Sequence, residues 1–205
     1  MVRDVLNLSE KLVPILVNLI NKTLDEGKYP SELKITKVVQ IHKAGAKEMV
    51  GNYRPISVIN VFSKILEQVM KDRINSFISA HLKIDDYQFG FLRESNTMSA
   101  TVDFLDYISS ELDKGKIVIV VFIDLRKAFD VVSLVLLLEK LRNIGFRGKA
   151  YTLSESYLID RMQYVKIGTS VSQLLSLKSG VPQGSILGPL LYSLYVCLKH
   201  LLTFT

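Results

Sequence analysis

Three short segments of this chain carry residues able to handle a phosphate or a metal ion. The first is Val121-Phe122-Ile123-Asp124-Leu125-Arg126-Lys127-Ala128-Phe129-Asp130. It sets a carboxylate at the C-terminal end of an apolar run, where burial is costly unless something pairs with the charge. Carboxylate oxygens are the hard ligands that Mg²⁺ takes, so Asp124 is either a metal ligand or a side chain that leaves the core to accept from a loop amide. Asp130 reads as a turn or cap residue entering the next helix. The second segment is Ser179-Gly180-Val181-Pro182-Gln183-Gly184-Ser185-Ile186-Leu187-Gly188-Pro189. Glycines on either side of Gln183 allow a sharp turn and a close backbone approach to a ligand. Gln183 offers both donor and acceptor groups, suited to a nucleotide's sugar or base; the same residues also describe an ordinary strand-to-helix turn. The third is Tyr53-Arg54-Pro55-Ile56-Ser57, ten residues beyond Lys43. An arginine clamps phosphate bidentately and a lysine serves as a point charge, and a solvated basic loop has the same composition.

The elements that must position these residues follow from periodicity. Ser9 and Glu10 precede an apolar pattern at Leu12, Leu16, Leu19, Ile20 and Leu24 that Gly27 and Pro30 end, which predicts a helix. Leu33 to Lys43 predicts a strand with Ile35, Val39 and Ile41 interleaved among polar residues, and Gly45 turns it into a loop through Gly51. Asn60 is placed to cap a helix with Ile65, Leu66, Val69, Ile74 and Phe77 as its apolar face. A polar loop runs from Asp85 to Asn96. Thr97 to Lys114 predicts a helix with Phe104, Leu105, Ile108 and Leu112 on one side and Gly115 past its end. Ile117 to Ile123 is a continuous β-branched and aromatic run, which predicts a strand buried on both faces. Ser133 caps a short helix ending near Gly145, and another covers Lys149 to Ile159. Tyr164 to Ile167 and Leu174 to Lys178 read as strands joined through Gly168. Gly180 to Gly188 is a glycine-rich turn, and Pro189 suits the first position of a final helix. Helices and strands interleave without regular βαβ units, so the expected class is α+β.

Length and composition bound the rest. The 205 residues suffice for one sizeable core, and 48% apolar with 22% charged residues describes a globular chain. Lys+Arg 26 against Asp+Glu 20 leaves a net charge of +6, compatible with a soluble basic protein or with a polyanion partner. Part of the excess is local: Lys140, Arg142, Arg147, Lys149, Arg161 and Lys166 face only Glu155 and Asp160. Cys197 is the only cysteine, which excludes an intrachain disulfide and a multi-cysteine zinc site and fits a reducing compartment. Asp4 and Glu10 interrupt any signal-peptide h-region. The uncharged stretch Ile186 to Leu198 is shorter than the ~20 residues of a membrane helix and reads as a buried core helix. The expected location is intracellular, nuclear or cytoplasmic, with no membrane partner.

In order and spacing, the Tyr-Arg-Pro-Ile-Ser loop, the Asp-Leu-x-Lys-Ala-Phe-Asp run and Gly-Val-Pro-Gln-Gly-Ser resemble the reverse transcriptase domain of non-LTR, LINE-like retrotransposons of the jockey and CR1 style. Gln88-Phe89-Gly90-Phe91 is similar to a further stretch of that family. The resemblance covers about Leu33 to Val196, and four motifs in sequence make it specific. It implies a right-hand polymerase, with fingers over about 1–115 and an incomplete palm over about 116–205. It implies RNA-directed DNA polymerisation with an RNA template, a DNA primer, deoxynucleoside triphosphates and Mg²⁺. Asp124 matches the first metal-binding aspartate. Phe129 matches the bulky residue beneath the sugar that screens out a 2′-OH. Lys43 and Arg54 would reach the triphosphate, Gln183 would line the nucleotide pocket, and Gly184 would permit its approach. The implied chemistry is two-metal nucleotidyl transfer.

The sequence departs from that pattern after Gly188. The family's further carboxylates come from a Tyr/Phe-x-Asp-Asp hairpin, whereas no acidic residue follows Asp160 here. The one adjacent pair, Asp85-Asp86, precedes Asp124 and reads as solvated loop. The expectation is a truncated copy without thumb or endonuclease, with weak or absent Mg²⁺ binding, no polymerase activity alone, and an open sheet edge that favours aggregation. The alternatives are a non-catalytic RNA- or DNA-binding remnant using a basic groove, or a remnant without a role. A maturase or telomerase subunit fits the motif wording less well.

Overall fold

A computed structural model describes residues 9–82, 88–91, 96–125 and 127–197. Helix α1 (Ser9–Glu26) turns Leu12, Leu16, Ile20 and Leu24 to its half-buried side, the spacing of one helical stripe. A single 3-10 turn (Ser31–Lys34) leads into strand β1 (Ile35–His42), the centre of the sheet. β1 pairs antiparallel with β2 (Tyr53–Val58) and parallel with β3 (Met162–Ile167). Two short strands, β4 (Ser170–Val171) and β5 (Leu175–Ser176), also pair with β3. The connection from β2 to β3 carries helices α2 (Val61–His81), α3 (Thr97–Asp113), α4 (Leu134–Asn143) and α5 (Gly148–Leu158), and α6 (Gly188–Cys197) follows the sheet. The chain is thus a mixed helix-and-sheet fold in which one sheet joins strands from both ends of the sequence.

The core lies between helices. α2 buries Leu66, Met70, Ile74 and Ile78 at three- and four-residue spacing. These meet Leu137 and Leu141 of α4, Leu153 and Leu158 of α5, and Leu190, Leu191 and Leu194 of α6. The apolar stretch that begins at Ile186 is therefore a buried core helix over its described part. The side-chain cap expected at Asn60 forms, accepting from the Phe62 amide at 2.9 Å, and Asn96, read only as the end of a loop, also caps by accepting from the Ser99 amide at 2.9 Å. Ser133 accepts from the Leu136 amide at 3.4 Å.

Four expectations are corrected. The Tyr53–Ser57 segment is not a loop but most of β2, and Pro55 is tolerated because β2 is an edge strand. In β1 the inward face carries Thr36 and Val38, while Ile35 and Ile41 face solvent. The reason lies beneath the strand: Arg161, 1% exposed, donates to the Thr36 hydroxyl at 3.4 Å and to the Tyr157 carbonyl at 3.1 Å. A buried guanidinium needs acceptors, and a strand shifted by one residue would offer it Ile35 and Lys37, neither of which has a side-chain acceptor. In α2, Ile65 is exposed and Ser63 and Glu67 take places in the buried stripe.

The fourth correction is the largest. Residues 117–123 form no strand among the described residues, and all but the half-buried Val118 are exposed: Ile117 is 91% and Phe122 84% accessible. No described strand runs beside them. α3 has no buried residue, and Phe104 touches Phe122 only across ring centroids 5.9 Å apart. A run patterned for cover on both faces has none here, so Asp124 stands in solvent rather than at the mouth of a core. The pair Asp85-Asp86 lies outside the described residues.

Two predictions follow from this packing. Leu137→Ala should cost about 2–5 kcal/mol of stability, whereas Ile117→Ser should stay within about 0.5 kcal/mol. Urea unfolding measures both, and a large loss at Ile117 would place the run in the core. The second concerns pH. Burial pushes the Tyr29 hydroxyl up to about 12 and raises Tyr157, with the Glu67 charge adding to both. A raised phenol contributes stability that is complete below its unfolded value near ~10 and is lost as pH climbs toward the folded value. Melting temperature should therefore fall between about pH 10 and 12, and less steeply in Tyr29→Phe. Identical slopes in both proteins would contradict the assignment.

Candidate functional site

The β1–β2 hairpin places two cations at one end. Lys43 follows β1, and its amide donates to the Asn52 carbonyl at 2.8 Å. Arg54 sits on β2 opposite Ile41. The loop between them is pinned by Asn52 donating to the Ala46 carbonyl at 2.8 Å and by the Tyr53 hydroxyl donating to the Lys47 carbonyl at 2.9 Å. Both cations are exposed, and neither forms an ion pair among the described residues. That leaves them available to an anion.

The Gln183 turn closes against this hairpin. The Ser57 amide, on β2, donates to the Gln183 carbonyl at 2.8 Å. Gly184 next to it has φ +113°, and a Cβ there would lie 2.7 Å from the Ser57 carbonyl oxygen. Only glycine permits that conformation and that distance together. On its other side the same segment grips the Phe129 turn. Val181 donates to the Phe129 carbonyl at 2.9 Å, Gly180 to the Val132 carbonyl at 2.8 Å, and the Ser179 hydroxyl to the Asp130 carbonyl at 3.2 Å. Gly180, at φ +87°, would bring a Cβ within 3.0 Å of Asp130 backbone. Main-chain bonds thus join three segments that lie far apart in sequence.

Phe129 is half-buried, with its ring stacked on Tyr192 of α6 at 4.9 Å and met edge-on by Phe91 at 6.0 Å. Gln88 donates to Ser193 Oγ, so the Gln-Phe-Gly-Phe stretch docks on the same helix. Lys127, at φ +53°, closes the turn by accepting from the Asp130 amide at 2.8 Å.

Asp124 stands apart. It is exposed and makes no hydrogen bond or ion pair among the described residues. Nor do any three His, Cys, Asp or Glu side chains among those residues come together to hold a metal ion. The described residues therefore do not fit a two-ion centre. The local basic excess is also not one patch. Arg161 is buried, Lys140 lies over the Tyr195 ring and donates to its carbonyl, and Arg142 lies 5.6 Å over Tyr151. No helix among the described residues is long and apolar enough to cross a membrane.

Sequence reasoning passed over one residue that holds the site together. Glu67 is fully buried on α2. It accepts from the Ser63 hydroxyl at 3.1 Å, the Ile186 amide at 2.8 Å and the Leu187 amide at 3.4 Å. The readable signal was an acidic residue on the apolar stripe, one turn after a serine. Tyr192 and Ser193 were likewise hidden inside an apolar helix.

Comparison with known proteins agrees with this assembly of motifs. Residues 41–199 match the family model for reverse transcriptase (RNA-dependent DNA polymerase). The probable RNA-directed DNA polymerase from transposon BS of Drosophila melanogaster is 33% identical over 94% of this chain and 22% of its own length. The RNA-directed DNA polymerase from mobile element jockey of the same organism is 29% identical over 94% of this chain and 21% of its own length. A Pol polyprotein from the type-1 retrotransposable element R2 of Popillia japonica is 27% identical over 86% and 24%. The chain spans about a fifth to a quarter of the length of these relatives. With a match over most of its residues, the chain belongs to the reverse transcriptase family of non-LTR retrotransposons.

Proposed function

We propose that this chain is the nucleotide-gripping part of an RNA-directed DNA polymerase. The observation that carries the reading is the clasp of the Gln183 turn between β2 and the Phe129 turn. It ties the strand that carries Arg54, the turn that carries Gln183 and the turn that carries Phe129 to one another through main-chain bonds. Lys43 and Arg54 take the triphosphate, Lys43 as a point charge and Arg54 through paired N–H groups. Gln183 meets the sugar or base. Phe129, backed by Tyr192, lies beneath the sugar and leaves no room for a 2′-OH. These are binding and orienting roles, and positioning with charge neutralisation is most of what a protein contributes to phosphoryl transfer.

In this reading residues from about 1 to 115 are fingers, and those from about 116 are palm. The exposed run 117–123 is a palm strand that needs a neighbouring strand, and Asp124 is one carboxylate of a Mg²⁺ site. Among the described residues no group of three or more candidate ligands gathers to hold that ion. An RNA template and a DNA primer would be held through their backbones. A second reading, a non-catalytic RNA or DNA binder, rests on the exposed cations Lys43 and Arg54.

Titration with dTTP by calorimetry tests the first reading: Lys43→Ala and Arg54→Ala should each weaken binding about tenfold, since a charge-assisted bond is worth roughly 1.5–3 kcal/mol. Unchanged affinity in both would remove the nucleotide site. Primer extension on an RNA template should give no product from this chain alone, and product abolished by Asp124→Asn would show a complete catalytic centre. Salt-sensitive RNA binding without dTTP binding would select the second reading. Gly184→Ala should cost at least about 1–3 kcal/mol in backbone strain and weaken dTTP binding, and a wild-type melting curve would refute the close approach to Ser57.

A further inference from the structure

We propose that Glu67 is a positioning residue that sets the spacing between Arg54 and Gln183, and through it the affinity for a nucleoside triphosphate. The inference rests on the nucleotide reading of the site. The turn after Gln183 has two tethers to the body of the protein. One is the Ser57 amide donating to the Gln183 carbonyl at 2.8 Å. The other is the Glu67 carboxylate, which accepts the Ile186 amide at 2.8 Å and the Leu187 amide at 3.4 Å. Inside the turn, the Ser185 hydroxyl donates to the Pro182 carbonyl at 2.9 Å and accepts from the Gly188 amide at 2.8 Å.

Both tethers come from one continuous piece of chain. Ser57 lies one residue before the end of β2 and Glu67 ten residues later on α2, with Asn60 capping the helix between them. Arg54 is on the same β2. The piece is therefore a bracket that carries Arg54 on one arm and grips Gln183 with the other. The carboxylate itself is held: Ser63 donates to it at 3.1 Å, and the Ser63 and Tyr29 hydroxyls bond to each other at 2.7 Å. A fully buried acidic side chain that only filled space would be a poor choice against leucine, because its desolvation must be offset bond by bond. Charge-assisted bonds to two adjacent amides offset it and hold the start of α6 in register.

The test uses the full chain and dTTP as probe. Glu67→Gln keeps the shape and one acceptor oxygen but removes the charge. Amide hydrogen exchange by NMR should speed up about tenfold at Ile186 and Leu187, beyond any change in global unfolding. Binding of dTTP should weaken by a similar factor, and the loss should be non-additive with Gln183→Ala, because both act on one group. Additive losses, or exchange rates that match the wild type, would overturn the proposal. Should Glu67→Gln fail to fold, Ser63→Ala loosens the carboxylate while leaving both amide bonds, and should show a smaller non-additive loss; full additivity there overturns the proposal equally. A wild-type chain that binds no dTTP overturns the nucleotide reading and the affinity role with it. Binding by the wild type with an additive Glu67→Gln loss overturns the Glu67 role alone.

Discussion

The close approach of the Gln183-Gly184 turn to β2 is the constraint on which the rest of the site depends. A main-chain bond from Ser57 and a Cβ-free contact at Gly184 let two backbones meet without a side chain between them. Backbone bonds do this well because their geometry does not depend on rotamers. The same segment reaches the Phe129 turn with Val181 and Gly180, so one stretch of chain links β2 to the Phe129 turn through main-chain bonds. With a larger residue at either glycine the two contacts could not coexist.

Behind that turn the core is not purely apolar. Tyr29, Ser63, Glu67, Thr36 and Arg161 are all buried, and most of their polar atoms find partners within the chain. Tyr157 Oη and Arg161 Nε are buried without a hydrogen-bond partner among the described residues. Such groups lower net stability, since each unsatisfied atom carries a desolvation cost. What they add is specificity of arrangement. The guanidinium selects the face of β1 that turns inward, and the carboxylate selects where α6 begins.

The contrast between α6 and the run 117–123 shows what apolar character alone does and does not decide. Both are uncharged and rich in large aliphatic residues. α6 has α2, α4 and the loops around it to bury against. The 117–123 run meets α3 through the Phe104 and Phe122 rings, and α3 is itself without a buried residue. Burial requires two surfaces, and a pattern that asks for a buried strand is silent on whether a partner strand is at hand.

By itself the sequence determined the elements and the family. Local signals were enough for the caps at Asn60 and Ser133, for the helices they begin, and for the turn at Gly184. Four motifs in order were enough for the reverse transcriptase resemblance. These are properties of neighbouring residues, and neighbouring residues are what a sequence lists. Only tertiary structure decided that Thr36 rather than Ile35 faces inward, that Tyr53 to Ser57 is an edge strand, that Asp124 is exposed, and that Glu67 belongs to the site. The inward face of Thr36 and the place of Glu67 depend on partners 125 and 119 residues away, Arg161 and Ile186, and the edge position of β2 and the exposure of Asp124 on the lack of a neighbour among the described residues. Hydrophobic patterning says that a face will be buried. The hydrogen-bonding needs of buried charges, which only the assembled fold can satisfy, say which face and against what.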